Sequence, residues 1–261
     1  MTILKREHYL RFMGIDFLHG DRSDIRKVVR ASAVDAYSYL VTPNVDDLVK
    51  TLGGFLPPRQ SDAFLLADYK LCDSKVLEFL SRLVGKRLLQ YPGSDLVRDL
   101  LLDASFISLT IAVIGPSPSE FAKIEQLYPD RHFVFIDAPI PLTPDTDVWR
   151  RCVDELSTAK WSIALICLPL PRQQLVAEGL RLNGRKHGIA MCVGASIDFL
   201  SGKQRRAPAW MQTVGLEWAY RLCTNPRRMW RRYLLDGPNI LHLFFTREFF
   251  PHIFRYLRIT K

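Results

Sequence analysis

Five polar residues, Thr42, Asn44, Asp73, Gln173 and Asp198, could do chemistry together. A carboxylate set among hydroxyl and amide side chains is suited to taking a proton from an attacking hydroxyl. Asp73 closes the stretch Ala67-Asp68-Tyr69-Lys70-Leu71-Cys72-Asp73-Ser74, at a turn before a helical pattern that starts at Lys75. Two readings are open for it: a helix cap, or a general base at the mouth of a cleft. Asp145-Thr146-Asp147 is a D-x-D, a spacing that can hold a divalent cation. It lies between Pro144 and another helical pattern, where an Asp normally caps, and capping is the favoured reading. The six His are dispersed without an H-x-x-x-H pair. The chain contains no G-x-S-x-G, no G-x-G-x-x-G and no Walker loop. No metal site and no cofactor are therefore expected, and serine hydrolases, dinucleotide oxidoreductases and ATPases lose support.

The elements that must position these residues are legible as alternating patterns. Runs 37–41, 109–114, 132–136, 161–168 and 188–193 are short and β-rich, several of them continuously apolar, as strands covered on both faces should be. Helical patterns lie at 45–52, 75–84, 95–102, 118–127, 147–156 and 172–182. Strand alternating with helix predicts an α/β fold, a mostly parallel sheet with helices on both faces. Ligands in such folds sit at the carboxyl ends of the strands. There the sequence places Thr42-Pro43-Asn44, Gly115-Pro116-Ser117-Pro118-Ser119-Glu120, Pro169-Leu170-Pro171-Arg172-Gln173-Gln174 and Gly194-Ala195-Ser196-Ile197-Asp198. Singly these are ordinary strand-to-helix turns; four on one edge predict a polar cleft.

Charge divides the chain in two. Residues 201–261 hold 12 Lys and Arg against three acidic residues, which accounts for the whole net charge of +9 and leaves residues 1–200 balanced. The expected organisation is a body over 1–200 and a basic, aromatic appendage over 201–261. Within it Trp210, Val214, Trp218 and Leu222 recur every fourth residue, as on one face of a helix. Asn225-Pro226 reads as the cap and first position of a second helix that sets Arg227, Arg228, Arg231 and Arg232 beside Trp230 and Tyr233. Trp210, Trp218, Trp230, Phe244, Phe245, Phe249 and Phe250 read as exposed. Such a surface suits an anionic partner: a membrane face, a diphosphate or a nucleic acid. Nucleic acid is disfavoured, because the body is neutral and carries no reading motif. No apolar run approaches the roughly 18–20 residues that cross a bilayer. The N-terminus lacks the apolar core of a signal peptide, and the five scattered cysteines read as reduced thiols of a cytosolic protein.

The ordered motifs also resemble a known family. Residues 194–203 (GASIDFLSGK), 206–212 (RAPAWMQ), 215–222 (GLEWAYRL) and 226–228 (PRR) are similar to the signature of the WecG/TagA/CpsF glycosyltransferases, glycosyltransferase family 26. Upstream, Thr42-Pro43-Asn44 resembles the family's T-P-N, residues 67–74 its A-D-x-x-x-x-D-G with Ser74 for Gly, Gly93-Ser94-Asp95-Leu96 its G-x-D-L, and Pro171-Arg172-Gln173-Gln174 its P-K-Q-E. The resemblance covers roughly residues 14–236. It implies a Rossmann-like body whose C-terminal appendage meets the membrane and closes over the cleft. The implied reaction is a metal-independent, inverting transfer from a UDP-sugar to a polyprenyl-diphosphate-linked glycan of the bacterial cell surface. It implies Asp73 as base, Thr42 and Asn44 in the active site, and Gln173 on the sugar, with Gly194 and Asp198 in the signature turn beside it. Arg221, Arg228 and Arg231 would hold the UDP diphosphate. Partners so implied are the donor, the lipid-linked acceptor and an anionic membrane surface, with self-association open. The setting is the cytoplasmic, inner face of the plasma membrane. Gln90-Tyr91-Pro92 stands where the family often has an Arg, and residues 137–147 also depart from the pattern. These departures leave the hexose open among glucose, N-acetylmannosamine and its uronic acid. The alternative is a non-enzymatic membrane- or nucleic-acid-binding protein that uses the basic tail.

Overall fold

The computed structural model describes residues 8–139 and 142–252, apart from the side chain of Arg228. The chain opens with an antiparallel hairpin, β1 (Tyr9–Phe12) and β2 (Ile15–Leu18), turned at Met13 and Gly14 with φ of 52° and 83°. There follow α1 (Arg22–Ser32), β3 (Ser38–Val41), α2 (Val45–Leu52), α3 (Pro58–Leu65), β4 (Tyr69–Lys70), α4 (Lys75–Arg82) and α5 (Gly93–Leu102). Next come β5 (Thr110–Ile114), α6 (Pro118–Leu127), β6 (His132–Ile136), α7 (Asp147–Thr158), β7 (Ile163–Ile166), α8 (Arg172–Leu182), β8 (Ile189–Cys192) and α9 (Ser196–Leu200).

Six strands form one sheet in the order β4-β3-β8-β7-β5-β6, every neighbouring pair parallel. This is the α/β architecture expected, and the five strands read from sequence are its five long ones. Alternation along each strand sends side chains to two separate cores. Tyr39, Val41, Ala112, Ile114, Ala164, Ile166, Ala190 and Cys192 pack on one face with α2, α3, α7 and α8. Leu40, Ile111, Val113, Ile163, Leu165, Ile189 and Met191 pack on the other with α1, α5, α6 and α9. Both faces being covered is why these strands read as unbroken apolar runs. The hairpin, α1, α3 and the two-residue β4 were not read from sequence.

The C-terminal region is helical, but not as the periodicity predicts. Trp210, Val214, Trp218 and Leu222 do not share one helix. The chain breaks between α10 (Ala209–Thr213) and α11 (Glu217–Thr224) at Gly215, whose φ of +78° is a left-handed stop. Asn225 precedes α12 (Pro226–Trp230) without a side-chain capping bond, so the expected cap is absent. After α12 the helix widens to π geometry over Arg231–Asp236, then continues through α13 (Asn239–Phe244) into a second π turn, Phe245–Phe249. Phe244 is not exposed: it is buried with Ile240 and Leu243 in the body's core, its ring 6.3 Å from that of Phe12. Glu248 accepts from the Met13 N–H at 2.8 Å and pairs with Lys86. Phe249, also expected at the surface, is partly buried against the body's core, whereas Trp210, Trp218, Trp230, Phe245 and Phe250 are exposed as expected.

Candidate active site

A two-lobed cleft lies at the carboxyl ends of β3, β8 and β7. The sheet lobe, about 490 Å³, is lined by the turns after these three strands and by the α11–α12 region. The outer lobe, about 270 Å³, lies between the start of α4 and the C-terminal helices, with Val76, Trp218, Tyr233, Leu234 and Ile240 as apolar walls. Six residues border both lobes: Asn44, Asp46, Asp73, Glu217, Arg221 and Arg232. Volumes of this size suit a small ligand and its neighbour. The turn after β5 does not line the cleft; its Ser117 and Glu120 make a capping box for α6 instead.

Asp73 is held by backbone bonds that prolong the β3–β4 pairing: the Leu71 N–H donates to Val41 O, and the Asp73 N–H to Pro43 O at 3.0 Å. The cap of α4 is not Asp73 but Ser74, whose Oγ accepts from the Leu77 N–H. Asp73, free of that cap, borders both lobes. Burial pushes its pKa well above the usual carboxylate range; Arg221 pulls it back, and Glu217 and Asp47 push it further up.

Asn44 caps α2, accepting from the Asp46 and Asp47 N–H groups, while Asp47 reciprocates by accepting from the Asn44 N–H at 3.1 Å. Its Oδ1 also takes a bond from Arg232 at 3.1 Å. Asp47 is buried, which pushes it up to about 6 against the pull of Arg232. The Thr42 hydroxyl donates to Cys192 O at 3.1 Å, tying the end of β3 to β8. Gly93, at the start of α5, packs so closely here that a Cβ would sit 3.0 Å from Thr42 Oγ1.

Gln173, buried in the first turn of α8, accepts from the Gly194 N–H at 3.0 Å. Asp198, in the first turn of α9, lies 3.5 Å from Lys203. Arg221 pairs with Glu217 one turn earlier, its guanidinium 5.1 Å from the centre of the Phe199 ring. Arg231 borders the sheet lobe. Thus Thr42, Asn44, Asp73, Gln173, Gly194, Asp198, Arg221 and Arg231 all line one cavity; the side chain of Arg228 lies outside the described residues.

Asp145-Thr146-Asp147 is elsewhere. Thr146 is the cap of α7, accepting from the Trp149 N–H, Asp145 pairs with Arg59, and Asp147 pairs with Arg150. Capping holds for the segment, through the Thr rather than either Asp. Among the described residues no three His, Cys, Asp or Glu side chains are grouped to hold a metal ion.

This cleft, which brings the partly buried Asp73 carboxyl together with amides and arginines, belongs to a chain whose residues 10–253 match the model of the glycosyl transferase WecG/TagA/CpsF family. The protein belongs to that family. It is also similar to an N-acetylglucosaminyldiphosphoundecaprenol N-acetyl-beta-D-mannosaminyltransferase of Bacillus spizizenii, 30% identical over 179 residues, 68% of either chain.

For this glycosyltransferase, sequence reasoning missed Asp46, Glu217, Arg206 and Arg232 as cleft residues. Glu217 was findable, since Glu four residues before Arg is a helix-surface pair. Arg206 pairs with Asp95 and donates to Ser94, anchoring the start of α5 under the sheet lobe. Arg232 had no signal, because the π turn changes which side chains face the body.

Proposed function

We propose that the protein transfers a hexosyl group from a UDP-sugar to a polyprenyl-diphosphate-linked glycan, with inversion at the anomeric carbon and without a metal ion. The observation that carries this reading is the position of Asp73. It is a partly buried carboxyl relieved of capping duty, among the residues that border both lobes. The acceptor hydroxyl enters from the outer lobe and attacks the anomeric carbon. Asp73 takes its proton as the new C–O bond forms, and the bond to the nucleotide breaks with its electrons leaving on the diphosphate.

Arginines answer that charge: Arg221 and Arg231 border the sheet lobe, and Arg228 is assigned with them from the family pattern. Their forked donors match phosphate oxygens. Gln173 and Gly194, already bonded to each other, and Asp198 hold the sugar end. Thr42 and Asn44 fix the floor. The name of the Bacillus relative supports N-acetylmannosamine as the hexose and a lipid-linked N-acetylglucosamine as the acceptor; glucose and the uronic acid are the other donors to try.

The acceptor is a membrane lipid, and the surface beside the cleft suits it. Among the described residues no helix is long and apolar enough to cross a membrane. Trp210, Trp218, Trp230, Leu234 and Leu235 are nevertheless exposed beside Arg205, Arg227 and Arg231. This supports peripheral docking on an anionic bilayer at the cytoplasmic face. The deciding assay offers radiolabelled UDP-N-acetylmannosamine, UDP-glucose or a UDP-uronic acid with an undecaprenyl-diphosphate N-acetylglucosamine acceptor. One donor should label the lipid, and added chelator should leave the rate unchanged. No labelled lipid with any donor, or abolition by chelator, overturns the reading.

A further inference from the structure

Two polar atoms at the junction of the lobes are buried without a hydrogen-bond partner: Asp46 Oδ1 and Arg232 Nε. One further atom of each group is engaged. Lys50 takes Asp46 Oδ2 at 2.9 Å, and an Arg232 terminal nitrogen donates to Asn44 Oδ1 at 3.1 Å. Arg232 Nε lies 3.3 Å from Asp46 Oδ2, close enough to attract but without hydrogen-bond alignment. Asp46 is only 7% exposed, and both side chains border both lobes. An unaligned charge pair with a spare acceptor and a spare donor, buried beside a cleft, has a ligand-shaped deficit.

The chemistry of the deficit selects the ligand. A phosphate oxygen satisfies the arginine and repels the aspartate. An ammonium satisfies the aspartate and repels the arginine. A hydroxyl serves both, since its oxygen accepts from Nε–H and its proton goes to the carboxylate. Resting on the glycosyl-transfer reading above, we propose that Asp46 and Arg232 form a hydroxyl-reading pair that selects a sugar ring at the point where donor and acceptor meet. Both atoms are closed from solvent as the Arg231–Asp236 turn stands, so the turn lifts to admit the ring and reseats around it. Recognition and closure are then one event. Arg232, carried on the appendage, and Asp46, carried on the body at the start of α2, are brought into one hydrogen-bonded set by the sugar itself.

Calorimetric titration tests this with UDP, UDP-glucose and UDP-N-acetylmannosamine on wild type, Asp46→Ala, Arg232→Met and the double variant. If the pair reads the donor's hexose, each single variant weakens the bound UDP-sugar at least about tenfold and leaves UDP within about twofold. The double variant is then no worse than either single, because one hydroxyl bridges both groups. If it reads the acceptor's sugar, donor binding holds and KM for the lipid-diphosphate acceptor rises instead, again without additivity. Unchanged UDP binding shows that each variant is folded. Equal losses for UDP and UDP-sugar, additive losses, or no loss on either substrate overturn the pair. Failure of wild type to bind UDP or any UDP-sugar instead brings down the glycosyl-transfer reading, and the pair with it.

Discussion

Ser74 carries the hydrogen bond that caps α4, so the carboxyl of its neighbour Asp73 is released to the cleft. The backbone of Asp73 is fixed by Pro43 O, which makes the side chain a precise group on a rigid support. Asp73→Asn keeps the shape and removes the proposed base. Turnover should fall roughly 10²–10⁴-fold, with UDP binding retained. Because burial raises the folded-state pKa of Asp73 above its unfolded value, its ionised form costs stability as pH rises. The Asn variant should therefore melt no lower than wild type at pH 8. Near-normal turnover in Asp73→Asn would remove Asp73 from the mechanism.

Two neighbours of Asp73 should move its titration in opposite directions. A base must be ionised to act, so kcat/KM rises with pH along a limb above the usual carboxylate range. Arg221 holds the Asp73 pKa down and Glu217 holds it up. Arg221→Gln should shift the limb to higher pH; Glu217→Gln should shift it lower and also free Arg221 from its partner. Measured pH profiles that move together, or not at all, would place the titrating group elsewhere.

Asp47 offers a stability test apart from catalysis. Burial lifts it to about 6 in the folded protein, above the 3.8 of an ordinary aspartate. The folded state then keeps a proton that the unfolded state has lost, and stability falls as pH rises between those values. A difference of that size amounts to at most roughly 3 kcal/mol. Asp47→Asn retains an acceptor for the Asn44 N–H. In urea unfolding it should match wild type near pH 4 and be more stable above pH 6. Equal stabilities at pH 8 would mean that the carboxylate is better solvated than its burial suggests.

The sheet and its cleft were legible because they rest on local signals. Continuous apolar runs mark strands covered on both faces, and the turns after them carry Asn44, Gln173 and Asp198 at fixed offsets. Asp73 was visible but ambiguous, since the next residue is also a good cap and only the fold shows which of the two bonds to Leu77. What failed depends on long-range or irregular geometry. The four-residue spacing from Trp210 to Leu222 ignored the left-handed Gly215, and nothing local tells that Phe244 meets Phe12 across the whole chain. The β1–β2 hairpin was missed because its strands are four residues each, too short for an alternating pattern to stand out.

That long-range contact makes α13 and the π turn after it part of the body's stability. Phe244 is buried with Ile240 and Leu243, and Glu248 joins Lys86 to the Met13 N–H. Phe244→Ala leaves a cavity and should cost about 3–5 kcal/mol. Glu248→Ala strands the Met13 N–H and the Lys86 ammonium and should also destabilise. Thermal melts decide the matter: an unchanged Tm in both variants would show the last helix to be an independent attachment.

The exposed surface of the C-terminal helices should behave as an interfacial anchor separable from chemistry. Trp210, Trp230 and Leu235 are about half or more exposed and line neither lobe of the cleft, and Arg205 and Arg227 are exposed in the same region. In sedimentation with vesicles, a Trp210→Ser/Trp230→Ser/Leu235→Ser variant should lose at least about tenfold in partitioning, because apolar side chains drive insertion. Arg205→Gln and Arg227→Gln should each lose roughly fivefold on phosphatidylglycerol vesicles, and nothing on phosphatidylcholine or in high salt. UDP binding should stay at the wild-type level in all of them. Wild-type protein that binds neutral and anionic vesicles equally would remove the arginines from the contact, and an apolar variant that sediments like wild type would separate this surface from the membrane.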